Sequence, residues 1–200
     1  MILLALAAQA SAVEAERAFA ADAQAIGQWT AFRKWAAPEA VMFFPQPASV
    51  QARLKDAKDP PQAVQWQPAQ SYVSCDGAVA VNTGPWTQPD GSIGYFTTVW
   101  RRQVDGGWKW VVDGGDSLST PRPAVATPKV RVASCTGAPV AGHVPVTGAG
   151  EGAGAAPDAT LMWHWTVDST GARRFTASLW NGRGYDVVID DRVAAPKVAR

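Results

Sequence analysis

Three turn signals divide the middle of the chain: Asp76-Gly77, Pro89-Asp90-Gly91 and Asp105-Gly106-Gly107. Each lies between runs in which apolar and polar side chains alternate. Turn residues at this spacing favour antiparallel pairing of successive runs. The middle of the chain is therefore expected to be a meander of about four strands, over 65–75, 78–86, 93–103 and 108–113. In the third run Phe96, Thr98 and Trp100 share one face. In the fourth, Trp108, Trp110 and Val112 share one face, and Asp113 points the other way.

The segment before the meander has a different period. Over 14–35, Ala15, Ala18, Phe19, Asp22, Ile26 and Trp29 recur at spacings of three and four, as on a helical face. Gly27 is expected to divide this segment into two helices and Pro38 to end the second. A short strand at 41–44 and a short helix over 48–58 follow.

Beyond the meander, Pro121, Pro123 and Pro128 mark a linker, and 129–134 reads as a strand. The Gly- and Ala-rich stretch 142–158 has little to bury and reads as a loop. Residues 160–168 then alternate cleanly, with Leu161, Trp163, Trp165 and Val167 on one face. Two more runs, around 175–179 and 185–189, complete a second meander of about three strands. Three strands are near the lower limit of independent stability, so this unit is expected to pack on the first.

Residues 2–8 are an uncharged apolar run followed by the Ala8-Gln9-Ala10 and Ala10-Ser11-Ala12 steps, the pattern of a signal peptide over 1–12. Cleavage would leave Ser11 or Val13 first and place the protein in the periplasm or outside the cell. The alternative is that this run simply begins a helix. It is too short to span a membrane. The two cysteines, Cys75 and Cys135, either form one disulfide or are two buried thiols. They cannot build a cysteine zinc site, and no metal or cofactor is expected. The net charge of +1 argues against a nucleic-acid partner, and 10 Trp with 6 Phe supply ample core.

The helices, the lone strand and the meander together resemble the nuclear-transport-factor-2-like superfamily, the cystatin-like cone of polyketide cyclases and ketosteroid isomerases. The resemblance covers 14–118. It is carried by Glu16-Arg17-Ala18-Phe19, by Ala40-Val41-Met42-Phe43, by Gly94-Tyr95-Phe96-Thr97-Thr98-Val99-Trp100 and by Trp108-Lys109-Trp110-Val111-Val112-Asp113. It implies an α+β fold in which N-terminal helices pack in a curved antiparallel sheet and leave a cavity. Residues 119–158 would then be a linker and loop, and 159–191 a β-meander packed on the cone.

Asp22 is the first candidate for chemistry. A carboxylate on an apolar stripe is costly unless paired, and with a raised pKa it is a general base. A rotated stripe would instead leave it solvated. Asp113 is the second candidate, with strand-end turn chemistry as its alternative. Tyr95 is a donor to a developing oxyanion in isomerase-like sites. Trp29, Phe32, Trp66 and Trp110 are candidates for a ligand-binding wall, and Trp86, beside Pro85, is the Trp expected to be most exposed. His143 and His164 are isolated and build no triad. No acid–base pair stands out. The expectation is therefore a noncatalytic exported protein whose cavity takes a small apolar or aromatic ligand or a protein partner, a second copy included. The alternatives are a cyclase, isomerase or dehydratase using a pocket Asp, and an envelope assembly protein using 119–200.

Overall fold

The structure, a computed structural model, describes residues 10–137, 139, 147–148 and 150–196. Most of the expected signal segment and His143 lie outside the described residues. Helix α1 (Ala12–Ile26) begins at a capping box: the Ser11 side chain accepts from the Glu14 N–H, and the Glu14 carboxylate accepts from the Ser11 N–H. Gly27, at φ 101°, separates it from α2 (Gln28–Trp35). Few residues other than glycine adopt that conformation, so the expected break falls there. Because Gly27 has no side chain to cap α2, Asp59 does so from a distance: its carboxylate accepts the Thr30 N–H at 3.0 Å and the Thr30 hydroxyl at 2.6 Å.

Strand β1 (Ala36–Phe44) follows directly, then β2 (Gln46–Ser49), the single turn α3 (Val50–Arg53), β3 (Gln65–Trp66) and β4 (Gln70–Val73). The expected strand 41–44 thus starts at Ala36. Pro38 does not end the helix but sits within β1, where its pairing with β7 (Trp108–Ser117) is interrupted between Ala36 and Val41. A residue without an N–H is tolerated at such a break. The meander continues through β5 (Val79–Thr87), β6 (Ile93–Arg102) and β7, and then β8 (Lys129–Val132) joins in parallel beside β4. The sheet order is β2-β1-β7-β6-β5-β4-β8, with β3 on β5.

The C-terminal part is a second sheet, β9 (Thr147–Gly148), β10 (Glu151–Ala155), β11 (Leu161–Val167), β12 (Arg173–Trp180) and β13 (Tyr185–Val193), paired in chain order. It is larger than the expected three strands because the Gly-rich stretch contributes β9 and β10. Gly152 lies opposite Trp165 and Gly154 opposite Trp163. A Cβ on Gly152 would come within 2.5 Å of the Trp165 ring, and one on Gly154 within 2.4 Å of the Trp163 ring. The glycines are a floor for two indoles, not a loop.

The first sheet has an inner face against α1 and α2 and an outer face against the second sheet. On the inner face the Phe19 ring meets Phe32, Trp66, Trp100 and Trp110 with centroids 4.8–6.3 Å apart. On the outer side Phe43 stacks edge-on against Trp165 at 5.3 Å. The Thr97 hydroxyl donates to Asp191 at 2.7 Å, and Gln46 Nε2 donates to the Asp168 carbonyl at 2.9 Å. One hydrophobic core runs through both parts, from Phe19 and Trp110 to Leu161, Ala177 and Leu179, each no more than 1% exposed. A disulfide joins Cys75 to Cys135 with Cα atoms 5.3 Å apart. Beside it the Cys75 N–H donates to the Thr160 hydroxyl at 2.8 Å.

Candidate functional site

Between α1, α2 and the inner face lies a cavity of about 1040 Å³. Phe19, Phe32 and Trp66 form its floor, Trp29 one flank, and Trp86, Phe96 and Met42 the sheet side. The Pro60-Pro61-Gln62 segment, held near α2 by the Asp59 cap, and the Pro89-Asp90 turn form its rim. Asp113, Gly114, Gly115 and Asp116 of β7 form one end, together with Arg173 from β12. A largely apolar concavity with a few polar groups at one end suits a small-molecule site.

Asp113 reaches this cavity by a local irregularity. Opposite residues on paired strands share a face. Trp110 lies opposite Trp100, and Asp113 lies opposite Thr98. Trp100 and Thr98 are two residues apart on one face, whereas Trp110 and Asp113 are three apart. A bulge between these pairs absorbs the extra residue and reverses the alternation. The expectation that Asp113 faces away from Trp110 is corrected accordingly: both face inward. Burial pushes the Asp113 pKa up to about 7, opposed by the Thr98 hydroxyl, 2.6 Å from Oδ1, and by the Arg173 charge.

A second buried carboxylate, Glu16, stands behind the floor. Its Oε1 accepts the Trp66 indole N–H at 2.9 Å, and its Oε2 accepts the Trp100 indole N–H at 2.6 Å and the Asn82 amide at 3.3 Å. Burial raises its pKa to about 7, with the three donors pulling down and Asp113 pushing up. Glu16 thereby fixes the Trp66 ring in the cavity wall.

Asp22 is elsewhere. Its carboxylate accepts Lys34 Nζ at 2.7 Å and Trp35 Nε1 at 2.6 Å, and its side chain is 24% exposed. The Lys34 hydrogen bond holds its pKa below the usual carboxylate range. Of the two readings of Asp22, the structure has the rotated stripe: a paired, partly exposed carboxylate and not a pocket base. The physical reason is the orientation of α1: its buried face is Ala12, Ala15, Glu16, Phe19 and Ala23, while Ala18 and Ile26 are exposed.

Among the expected wall residues, the cavity brings together Trp29, Phe32 and Trp66. Trp110 is fully buried in the core behind them. Tyr95 is on the outer face, where the Arg122 guanidinium lies 3.8 Å from its ring centre. Burial and nearby acids push the Tyr95 pKa up to about 12, and its hydroxyl does not line the main cavity. Trp86, expected to be exposed, is half-buried and donates its indole N–H to the Tyr95 carbonyl at 2.9 Å. His164 is exposed, 3.7 Å from Glu151. Sequence reasoning missed Met42, Phe96, Glu16 and Arg173. Glu16 and Phe96 carried a signal, since Glu16 lies three before Phe19 and Phe96 shares a face with Thr98. Arg173 carried none.

Among the described residues no three His, Cys, Asp or Glu side chains cluster as a metal site requires, and no helix is long and apolar enough to cross a membrane.

No family model and no curated protein matches the chain. Among solved structures it is similar to the CaMKII hub of S. rosetta, with 21% identity and a TM-score of 0.41 over 57% of this chain and 100% of that one. It is also similar to a ketosteroid isomerase-like protein from Shewanella frigidimarina, with 16% identity and a TM-score of 0.37 over 53% of this chain and 95% of that one. These likenesses add nothing about function. Two helices, a strand and a curved meander that encloses a cavity against those helices give residues 12–117 the nuclear-transport-factor-2-like fold.

Proposed function

We propose that this is an exported protein that holds a small apolar or aromatic molecule in the cavity between α1, α2 and the inner sheet face. The carrying observation is the aromatic-lined cavity of about 1040 Å³, large enough for a drug-sized ligand. Phe32, Trp66 and Trp86 offer ring faces and edges to an aromatic guest. Support for export comes from the apolar N-terminal run and from the disulfide, which persists in oxidising compartments. Cleavage before Ser11 would leave the capping box of α1 intact, so Ser11 is the expected first residue of the mature chain. N-terminal sequencing of protein from the native host tests export; an intact Met1 overturns it.

Fluorescence titration with N-phenyl-1-naphthylamine, an uncharged aromatic probe, tests the binding reading. Saturable binding is expected in the wild type. Val64→Trp, which fills the cavity from its wall, is expected to weaken that binding at least tenfold. Equal binding by both proteins overturns the reading.

One observation favours a second reading. Asp113 is a buried carboxylate at the cavity end, with a pKa near neutrality and a hydroxyl on one oxygen. Such a group takes a proton from a carbon acid as a general base. Incubation with a β,γ-unsaturated cyclic ketone in deuterated water tests it. Deuterium incorporation that Asp113→Asn abolishes supports catalysis, and none in the wild type leaves the cavity a binding site.

A further inference from the structure

The cavity end holds one cation, Arg173, that forms no ion pair among the described residues. Arg173 is the first residue of β12, in the second sheet, yet its side chain reaches the cavity formed by the first. It is half-buried, lies over the Phe43 ring at 5.3 Å, and donates from Nη2 to the Gly115 carbonyl. A guanidinium carries five N–H donors. Among the described residues no carboxylate lies within 4 Å of this one.

The acids facing it are engaged by other groups. Asp191 accepts the Thr97 hydroxyl and lies 3.7 Å from Arg122. Asp113 accepts the Thr98 hydroxyl, and Asp116 accepts the Ser117 N–H at 2.8 Å. Arg173 is also the one Lys or Arg among the described residues that line the cavity. The space is therefore polarised: aromatic rings lie at the floor and flank, and at the β7 end one cation with free donors stands near Asp113 and Asp116, which act on it without touching it. Partial burial strengthens the pull of such a charge on an anion.

We propose that Arg173 determines specificity in this cavity, and that the preferred ligand is an amphipathic anion with an apolar ring body and a carboxylate, sulfonate or similar oxyanion. This rests on the reading that the cavity binds a small apolar molecule. The ring body lies against Phe32 and Trp66, and the oxyanion meets the Arg173 fork. The C-terminal sheet thus has a role in the site as well as in covering the outer face.

Two probes with the same ring system separate this inference from the reading it rests on. N-phenyl-1-naphthylamine is uncharged, and 1-anilinonaphthalene-8-sulfonate carries one negative charge. The wild type is expected to bind the sulfonate at least tenfold tighter than the amine. Arg173→Gln removes the charge and keeps a polar side chain. It is expected to erase that preference, bringing its affinities for the sulfonate and the amine to within about twofold of each other. Arg173→Lys restores the charge and is expected to recover part of the preference. A wild type that binds both probes equally, or an Arg173→Gln variant that keeps the preference, overturns the assignment. The wild-type ratio decides even where the Gln variant does not fold. Binding of neither probe overturns the cavity reading, and this inference with it.

Discussion

The Thr98 hydroxyl donates a 2.6 Å hydrogen bond to Asp113 Oδ1 across two paired strands, at one end of a cavity whose floor is aromatic. The pair exists because the β7 bulge turns Asp113 to the face that carries Thr98 and Trp100. With regular alternation from Trp110 to Asp113 and no bulge, Asp113 would point toward the second sheet. Trp110 would keep its place, and the cavity would lose its carboxylate.

Asp113 and Glu16 make stability depend on pH in a stated direction. Both have folded-state pKa values of about 7, above their ordinary values of 3.8 and 4.5. The folded state therefore holds protons that the unfolded chain has released, and stability falls as pH rises from about 4 to about 7. Carboxylates with lowered values, such as Asp22 and Asp190, act below that window and lose their contribution as pH falls. The melting temperature is expected to be higher at pH 5 than at pH 8, by roughly 5–10 °C for a chain of this size. Asp113→Asn keeps the Thr98 hydrogen bond and is expected to reduce that difference by raising the value at pH 8. A flat profile for the wild type would count against both buried acids.

The disulfide closes a loop with a sequence separation of 60 between the β4–β5 turn and the segment leading to the second sheet. Loop-closure entropy places its contribution at about 4 kcal/mol. Cys75→Ser with Cys135→Ser, or reduction of the wild type, is expected to lower the melting temperature by roughly 10 °C. An unchanged melting temperature under strong reductant contradicts this.

Asp22 is expected to behave as a surface ion pair. Its partner Lys34 has a 55% exposed side chain, which screens the pair. Asp22→Asn is expected to cost about 1 kcal/mol or less at neutral pH and to leave binding of either naphthylamine probe unchanged. A stabilising Asp22→Asn would restore the view of Asp22 as a poorly solvated charge.

The order of elements was legible because turn chemistry and alternation are local. Asp76-Gly77, Pro89-Asp90-Gly91 and Asp105-Gly106-Gly107 each fall between the strands they were expected to join. The helix break at Gly27 is equally local. What could not be read depends on contacts between distant residues. Trp163 and Trp165 decide that Gly152 and Gly154 form a strand, and that pairing spans about ten residues of intervening chain. The buried face of α1 is set by Trp66, Asn82 and Trp100, which hold Glu16. From the helix alone, Asp22 fitted the stripe as well as Glu16 did. Trp29, Phe32 and Trp66 were found because large rings near the helices have few other places to go. Tyr95 was misplaced because alternation along β6 does not say which face is inner. Arg173 comes from a sheet that no local pattern connects to the cavity.

The central claim is that the cavity is a binding site, and a crystal structure of the wild type grown with saturating N-phenyl-1-naphthylamine tests it most directly. The expected result is one ordered probe between Phe32, Trp66 and Trp86, with its rings within contact distance of theirs and its amine toward Asp113. A structure with that space filled only by water, or with the probe bound elsewhere, would contradict the account.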